Sequence, residues 1–245
     1  MIEDREMIIC LHGWLSTKAR WRLLGEILHE DFDFRPIDLP GLHIDMFQGF
    51  LPKDITEIVE LTFNTIEDLS PSGPVFLMGH STGGFLALEI ALKYPSFVKS
   101  LIFESLPLDL PFLTKLLTLP RLGSFLFNLF RKTRPIMVKF KKMRNPWNLM
   151  EGSPQDLLLR IEPQTLLQYL EAYRWYSPAK VAQEIKKPVL LIYGSKDRFV
   201  KHYQARKLNG AFENSYIHFL PKASHSPSVW YPQETACLIK EFIEK

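Results

Sequence analysis

Val75-Phe76-Leu77-Met78-Gly79-His80-Ser81-Thr82-Gly83-Gly84-Phe85-Leu86-Ala87-Leu88 is the stretch on which the reading of this chain turns. Its four leading apolar residues predict a buried strand, and the Ala/Leu-rich run after Gly83 predicts a helix to about Tyr94. Between them stands Gly-x-Ser-x-Gly. In that setting the pentapeptide reads as a nucleophile elbow, a strained strand-to-helix turn that holds the Ser81 hydroxyl at the top of a parallel sheet. A side chain at Gly79 or Gly83 would collide with the neighbouring strand or helix in so tight a turn. The helix N-terminus beside Ser81 favours a developing negative charge. The pentapeptide alone is weakly specific; the strand before it and the helix after it make it informative.

The same alternation extends outward on both sides. Upstream, Met7–Leu11 is a continuous apolar run ending at His12-Gly13-Trp14, Trp21–Glu30 has helical spacing, and Phe32–Ile37 returns as a strand that stops at Asp38-Leu39-Pro40-Gly41. Between Asp54 and Leu69 the residues Ile55, Ile58, Val59, Thr62, Phe63 and Ile66 form a helical stripe. Downstream come strand Lys99–Phe103, strand Pro188–Tyr193, a helix near His202–Asn209, strand Tyr216–Leu220 and a closing helix from Pro232 to Ile243. Alternating apolar strands and amphipathic helices predict an α/β fold, a mostly parallel sheet of about six strands covered on both faces. From 106 to 184 the segments are helical, broken by proline and glycine, with no convincing strand. The expected organisation is therefore a core of residues 1–105 and 185–245 with a helical lid, 106–184, inserted before the last two strands.

A serine hydroxyl is a poor nucleophile until a base takes its proton, and that base works best when a carboxylate fixes its tautomer. Asp197 follows strand Pro188–Tyr193 within Gly194-Ser195-Lys196-Asp197, and His225 follows strand Tyr216–Leu220 within Ala223-Ser224-His225-Ser226. Both lie just past the carboxyl ends of strands, where ligands bind in open α/β sheets. Glu104, directly after strand Lys99–Phe103, is the rival acid. His12, His43, His80, His202 and His218 compete with His225 for the role of base, but only His225 has the expected chain order and loop. His12 and His80 read as loop-bracing hydrogen-bonders, and His218 falls inside a strand.

His12-Gly13-Trp14, Asp38-Leu39-Pro40-Gly41, Gly79-His80-Ser81-Thr82-Gly83-Gly84, Gly194-Ser195-Lys196-Asp197 and the His225 loop together resemble the α/β-hydrolase fold family over essentially the whole chain. The resemblance implies Ser81 as nucleophile, His225 as general base then acid, and Asp197 as its orienter. It further implies an oxyanion hole from the backbone N–H groups of Trp14 and Thr82. Within the family the chain is similar to the pimeloyl-carrier-protein methyl ester esterases of biotin synthesis, which share a His-Gly-Trp loop and a compact helical lid. Three departures are visible. Gly41-Leu42-His43 replaces the usual Gly-His-Gly, too few residues precede the first strand for an opening hairpin, and Trp230 stands where an acid is common.

Composition narrows the remaining options. At 245 residues with 46% hydrophobic content the chain suits one domain with a sizeable core. A net charge of +3 is too mild to imply nucleic acid. Cys10 and Cys237 read as buried free thiols, and the acidic N-terminus lacks an export signal, which together place the protein in the cytoplasm. Leu106 to Phe130 is greasy but interrupted by Lys115, Arg121 and prolines, so it is not a membrane span. Arg131, Lys132, Arg134, Lys139, Lys141, Lys142 and Arg144 then fall within fourteen positions. A lid with leucines and phenylalanines over the elbow would hold an acyl chain, while its basic rim could steer an acidic acyl carrier protein or an anionic lipid surface. His43, Phe140, Trp147 and Trp175 are candidate substrate-lining residues, with Tyr176 beside them.

The expected activity is cleavage of a carboxylic ester or thioester with an apolar acyl part, through an acyl-enzyme. Alternatives are an acyl-carrier-protein ester as substrate, a triad-bearing lyase, a carbon–carbon hydrolase, and a non-catalytic ligand sensor of the same fold. Dehalogenases and epoxide hydrolases are disfavoured, because they need an aspartate in place of Ser81. No metal-ligand spacing such as H-E-x-x-H occurs, and neither metal nor cofactor is called for.

Overall fold

The computed structural model describes residues 5–42, 50–70, 73–119, 121–140, 157 and 160–245. In chain order its elements are β1 (Met7–Leu11), a 3₁₀ turn (Lys18–Trp21), α1 (Arg22–Leu28), β2 (Asp33–Ile37), α2 (Ile55–Leu69), β3 (Val75–His80), α3 (Gly83–Lys93) and β4 (Val98–Glu104). There follow α4 (Phe112–Leu116), α5 (Leu122–Phe140), α6 (Pro163–Tyr173), α7 (Pro178–Ala182), β5 (Val189–Gly194), α8 (His202–Asn209), β6 (Ser215–Leu220), α9 (Pro227–Trp230) and α10 (Pro232–Ile243). The six strands form one parallel sheet in the order β2-β1-β3-β4-β5-β6. The parallel α/β sheet of about six strands expected from the alternation is the one observed.

Successive strand residues point to opposite faces, so each continuous apolar strand feeds two cores. Ile8, Cys10, Phe76, Met78, Ile102, Leu190 and Ile192 face Trp21, Leu24 and Leu28 from the α1 side and Ala236, Ile239 and Phe242 of α10. Ile9, Leu11, Leu77, Leu101, Phe103, Leu191 and Tyr193 face the other way, onto α2, α3 and α8. Asp54 starts α2 by accepting a hydrogen bond from the Glu57 N–H at 3.0 Å. The helices α4 to α7 are inserted between β4 and β5. Leu166, Tyr169, Leu170 and Tyr173 of α6 join the second core.

The cysteine expectation needs correcting at one of its two positions. Cys10 is a buried free thiol, but Cys237 is exposed, its Sγ 3.3 Å from Glu241 Oε1. Ala236, Ile239 and Phe242 mark the inner face of α10, and helical rotation puts position 237 outside it.

Gly79 and Gly83 carry the tightness of the elbow. A Cβ at Gly79 would lie 2.6 Å from the Gly84 Cα, and one at Gly83 would lie 2.4 Å from the His12 carbonyl oxygen and 2.5 Å from that of Leu11. These obstacles are backbone, so no side-chain rotation relieves them. Gly83→Ala is expected to lower stability by about 2–3 kcal/mol or more, read as a reduced urea midpoint at unchanged slope.

Candidate functional site

The sheet order reverses between β1 and β3, and the loops leaving their carboxyl ends border a crevice at that switch point. His12-Gly13-Trp14 leaves β1 and Ser81 leaves β3. Ser81 adopts φ of 49°, the left-handed region that a residue with a side chain occupies only under strain. Its N–H donates to the Glu104 carbonyl at 2.9 Å, which fixes the turn against the end of β4.

From the loops after β5 and β6 come the two expected partners. His225 Nε2 is 3.1 Å from Ser81 Oγ, and His225 Nδ1 is 2.8 Å from Asp197 Oδ2. Asp197 Oδ1 accepts from the N–H groups of Phe199 at 2.7 Å and Val200 at 3.1 Å. Burial pushes the Asp197 carboxyl up. The hydrogen bond and charge of His225 and the two backbone donors outweigh that, holding it below the usual range. An ionised Asp197 can only accept, so His225 carries its proton on Nδ1 and turns the lone pair of Nε2 toward the serine hydroxyl. That is the protonation a general base needs.

Glu104, the rival acid, is engaged elsewhere. Its Oε2 accepts from Arg20 Nη1 at 2.7 Å and its Oε1 from the Ser228 N–H at 2.6 Å. His80 Nε2 donates to the His225 carbonyl at 3.0 Å, and His12 Nε2 accepts from the Leu39 N–H at 3.0 Å, so both imidazoles brace loops. Burial, with Arg20 nearby, holds the His80 imidazole well below its ordinary range. His80 is therefore neutral when folded and free to protonate when unfolded. Because the unfolded chain binds more protons, stability falls as pH drops below the unfolded value of about 6.5 and stops falling below the folded one. Between pH 6.5 and 5, melting temperature should drop more steeply in wild type than in His80→Gln, which keeps a donor but cannot titrate.

Trp14 and Thr82, expected to supply an anion-binding pair of N–H groups, are adjacent. The Trp14 N–H donates to Thr82 Oγ1 at 2.8 Å, and Thr82 caps the N-terminus of α3, where backbone donors lack helical acceptors. Trp14 also ties the inserted helices to this corner. Its Nε1 donates to the Leu166 carbonyl at 2.8 Å, and its ring packs 6.3 Å from that of Phe127 in α5. Tyr169 likewise donates its hydroxyl to the Pro40 carbonyl.

The expected lining residues fare unevenly. His43 and Trp147 lie outside the described residues; Phe140 closes α5, and its side chain is likewise outside them. Trp175 is 79% exposed with the Arg174 guanidinium 4.9 Å over its ring, so it lines no enclosed wall; it follows the end of α6, where the chain turns outward. Tyr176 packs on Phe85 with ring centroids 4.8 Å apart. Phe199 escaped sequence reasoning. Its ring lies 4.9 Å from that of His225 yet is 61% exposed, which leaves an apolar surface at the mouth of the site. A single phenylalanine in a polar loop has no periodicity by which to find it.

A cleft lined by Ala91, Leu92, Pro95, Glu184 and Ile185 lies at the far end of α3 from Ser81. Among the described residues no group of three or more His, Cys, Asp or Glu side chains could hold a metal ion. Also among them, no helix is long and apolar enough to cross a membrane.

Residues 8–236 match the model of the alpha/beta hydrolase family, and the chain belongs to that family. Among its curated relatives are pimeloyl-[acyl-carrier protein] methyl ester esterases. That of Neisseria meningitidis is 26% identical over 97% of this chain and 92% of the relative. That of Wigglesworthia glossinidia brevipalpis is 28% identical over 97% and 93%. A thermophilic esterase from Thermogutta terrifontis shares the fold with a TM-score of 0.78 at 18% identity, over 98% of this chain and 89% of that one.

Proposed function

We propose that this chain is a serine ester hydrolase acting through an acyl-enzyme on carboxylic esters or thioesters with an apolar acyl part. The observation that carries it is the continuous hydrogen-bonded line from Ser81 Oγ through His225 to Asp197 at the switch point of the sheet. Ser81 Oγ attacks the carbonyl carbon as His225 Nε2 takes its proton. The oxyanion of the tetrahedral intermediate is held by the N–H groups of Trp14 and Thr82, each worth about 3 kcal/mol. Because the Trp14 N–H bonds Thr82 Oγ1 in the free protein, the incoming oxygen shares or displaces that hydroxyl. His225 then passes its proton to the leaving alcohol or thiol, a water attacks the acyl-serine with His225 again as base, and the acid leaves.

The inserted helices, 106–184, serve as the lid, with Phe127 and Leu166 packed beside Trp14. Each acyl methylene buried there adds about 0.8 kcal/mol. The relatives named for a carrier-protein methyl ester, together with the basic run from Arg131 to Arg144, support an ester carried on an acidic acyl carrier protein as the physiological form. An anionic lipid surface is the competing partner for those charges. The protein is read as cytoplasmic and free of cofactors.

Fluorophosphonate labelling and a series of p-nitrophenyl esters of graded acyl length test the activity. Labelling of wild type, with kcat/KM rising with acyl length to a limit, is expected; an unlabelled, inert wild type would favour a ligand sensor. Reversing Arg131, Arg134 and Lys142 to Glu should weaken turnover of a carrier-protein ester at least tenfold and leave the small esters unchanged. Equal rates on both substrates would remove the steering role.

A further inference from the structure

The loop that carries His225 is tied down by the buried side chains of His80 and Glu104. Its first tie is the His225 carbonyl, which accepts from His80 Nε2 at 3.0 Å. Its second is the Ser228 N–H, which donates to Glu104 Oε1 at 2.6 Å. Between them lie only Ser226 and Pro227, and Pro227 has no N–H to offer. His80 and Glu104 close adjacent strands, β3 and β4, whose register pairs these two residues directly. The same two strand ends hold Ser81, which follows His80 in the chain and donates its own N–H to the Glu104 carbonyl.

We propose that Glu104 and His80 are positioning residues that lock the His225 loop to the strand ends bearing Ser81, and so set the distance between base and nucleophile. This rests on the serine-hydrolase reading of the site. The role explains a feature that stability alone does not. Glu104 is fully buried and Arg20 is 3% exposed, a pairing whose desolvation an apolar pair of similar volume would avoid. An apolar residue at 104, however, could not accept from Ser228. Arg20, whose guanidinium lies 4.2 Å over the Trp21 ring, neutralises the carboxylate and leaves Oε1 to the loop. The first tie requires that His80 carry a proton on Nε2, since a carbonyl can only accept. Proximity of this kind matters because a misplacement of about 1 Å can cost a hundredfold in rate.

Two double variants separate the hydrogen bond from the charge. Arg20→Met with Glu104→Gln removes both charges and keeps an acceptor for the Ser228 N–H; Arg20→Met with Glu104→Met removes the acceptor as well. Both are assayed at a temperature where near-UV circular dichroism shows each folded. The Gln variant should keep kcat within about threefold of wild type, whereas the Met variant should lose at least tenfold in kcat at nearly unchanged KM, with proportionally slower fluorophosphonate labelling. His80→Gln against His80→Met repeats the comparison for the other tie and stands alone if the Met double variant does not fold. The amide exchange of Ser228 and the low-field Nδ1–H proton signal of His225 report the geometry whether or not the protein turns over an ester. A shifted His225 signal and faster Ser228 exchange in the Met variants support the locking role even if no ester is cleaved. Equal kcat and unchanged signals in Gln and Met variants at both positions would overturn it while leaving serine hydrolysis intact.

Discussion

Ser81→Ala is expected to lower ester turnover by about 10⁴-fold or more and to abolish fluorophosphonate labelling, with the fold unchanged. In the proposed mechanism Ser81 Oγ alone bonds covalently to the acyl group, so no neighbour can substitute for it. His225→Ala should cost about as much, because an unactivated hydroxyl at neutral pH is nearly inert. The double variant should be scarcely worse than either single one. That non-additivity marks residues acting as one unit, and two independent losses that multiply would speak against a single proton path. The residual rate should still exceed that in water, since the backbone N–H groups of Trp14 and Thr82 remain. Ester hydrolysis monitored at saturating and subsaturating substrate supplies both kcat and KM for the comparison. A Ser81→Ala protein that hydrolyses esters at the wild-type rate would end the proposed mechanism.

Asp197→Asn should lower kcat by about 10³–10⁴-fold with only a small change in KM. Asn fills the same space but carries an NH₂ group that can donate to His225 Nδ1. The imidazole then moves its proton to Nε2 and presents Ser81 with a donor in place of a lone pair. The backbone N–H groups of Phe199 and Val200, now bonded to Asp197 Oδ1, can still be satisfied by the amide oxygen, so folding is largely spared. Stability also carries a signature. The Asp197 carboxyl titrates below its ordinary value of 3.8 in the folded protein, so its contribution is present above that pH and is lost as pH falls through the lower folded value. Asp197→Asn should remove that part of the acid-limb slope. Glu104→Gln, by contrast, leaves the His225 tautomer alone, because the Glu104 carboxylate bonds Arg20 and Ser228.

Much of this protein could be read in one dimension because its determinants are local. Apolar runs alternating with helical stripes give β1 to β6 and the helices of the core to within a few residues; the helix expected over Trp21–Glu30 is α1, Arg22–Leu28, preceded by a 3₁₀ turn over Lys18–Trp21. The elbow was legible because a buried strand, two glycines and a helix must follow one another for so tight a turn to exist. Other features were not legible, for a different reason. Glu104 and Asp197 both follow strand ends with the same chemistry, and only the packing of Arg20 and Ser228 against Glu104 shows which carboxylate reaches His225. The bond from the Trp14 N–H to Thr82 Oγ1 links residues 68 positions apart, and nothing in either segment announces it. Phe199 beside His225 and Cys237 in solvent are likewise settled by where loops and helix faces fall.

By itself the sequence determined the parallel sheet, its strands, the strained serine turn and the chain order of Ser81, Asp197 and His225. These depend on periodicity and backbone sterics over fewer than about twenty residues at a time, the length of one helix or turn. Tertiary structure alone decided which of two carboxylates bonds His225, how the His225 loop is held, and where the inserted helices touch the elbow. Ser81 and His225 are 144 positions apart, yet Ser81 Oγ and His225 Nε2 lie 3.1 Å apart. No local preference sets such a distance; it comes from the shared register of β3 and β4 and from the buried polar groups at their ends.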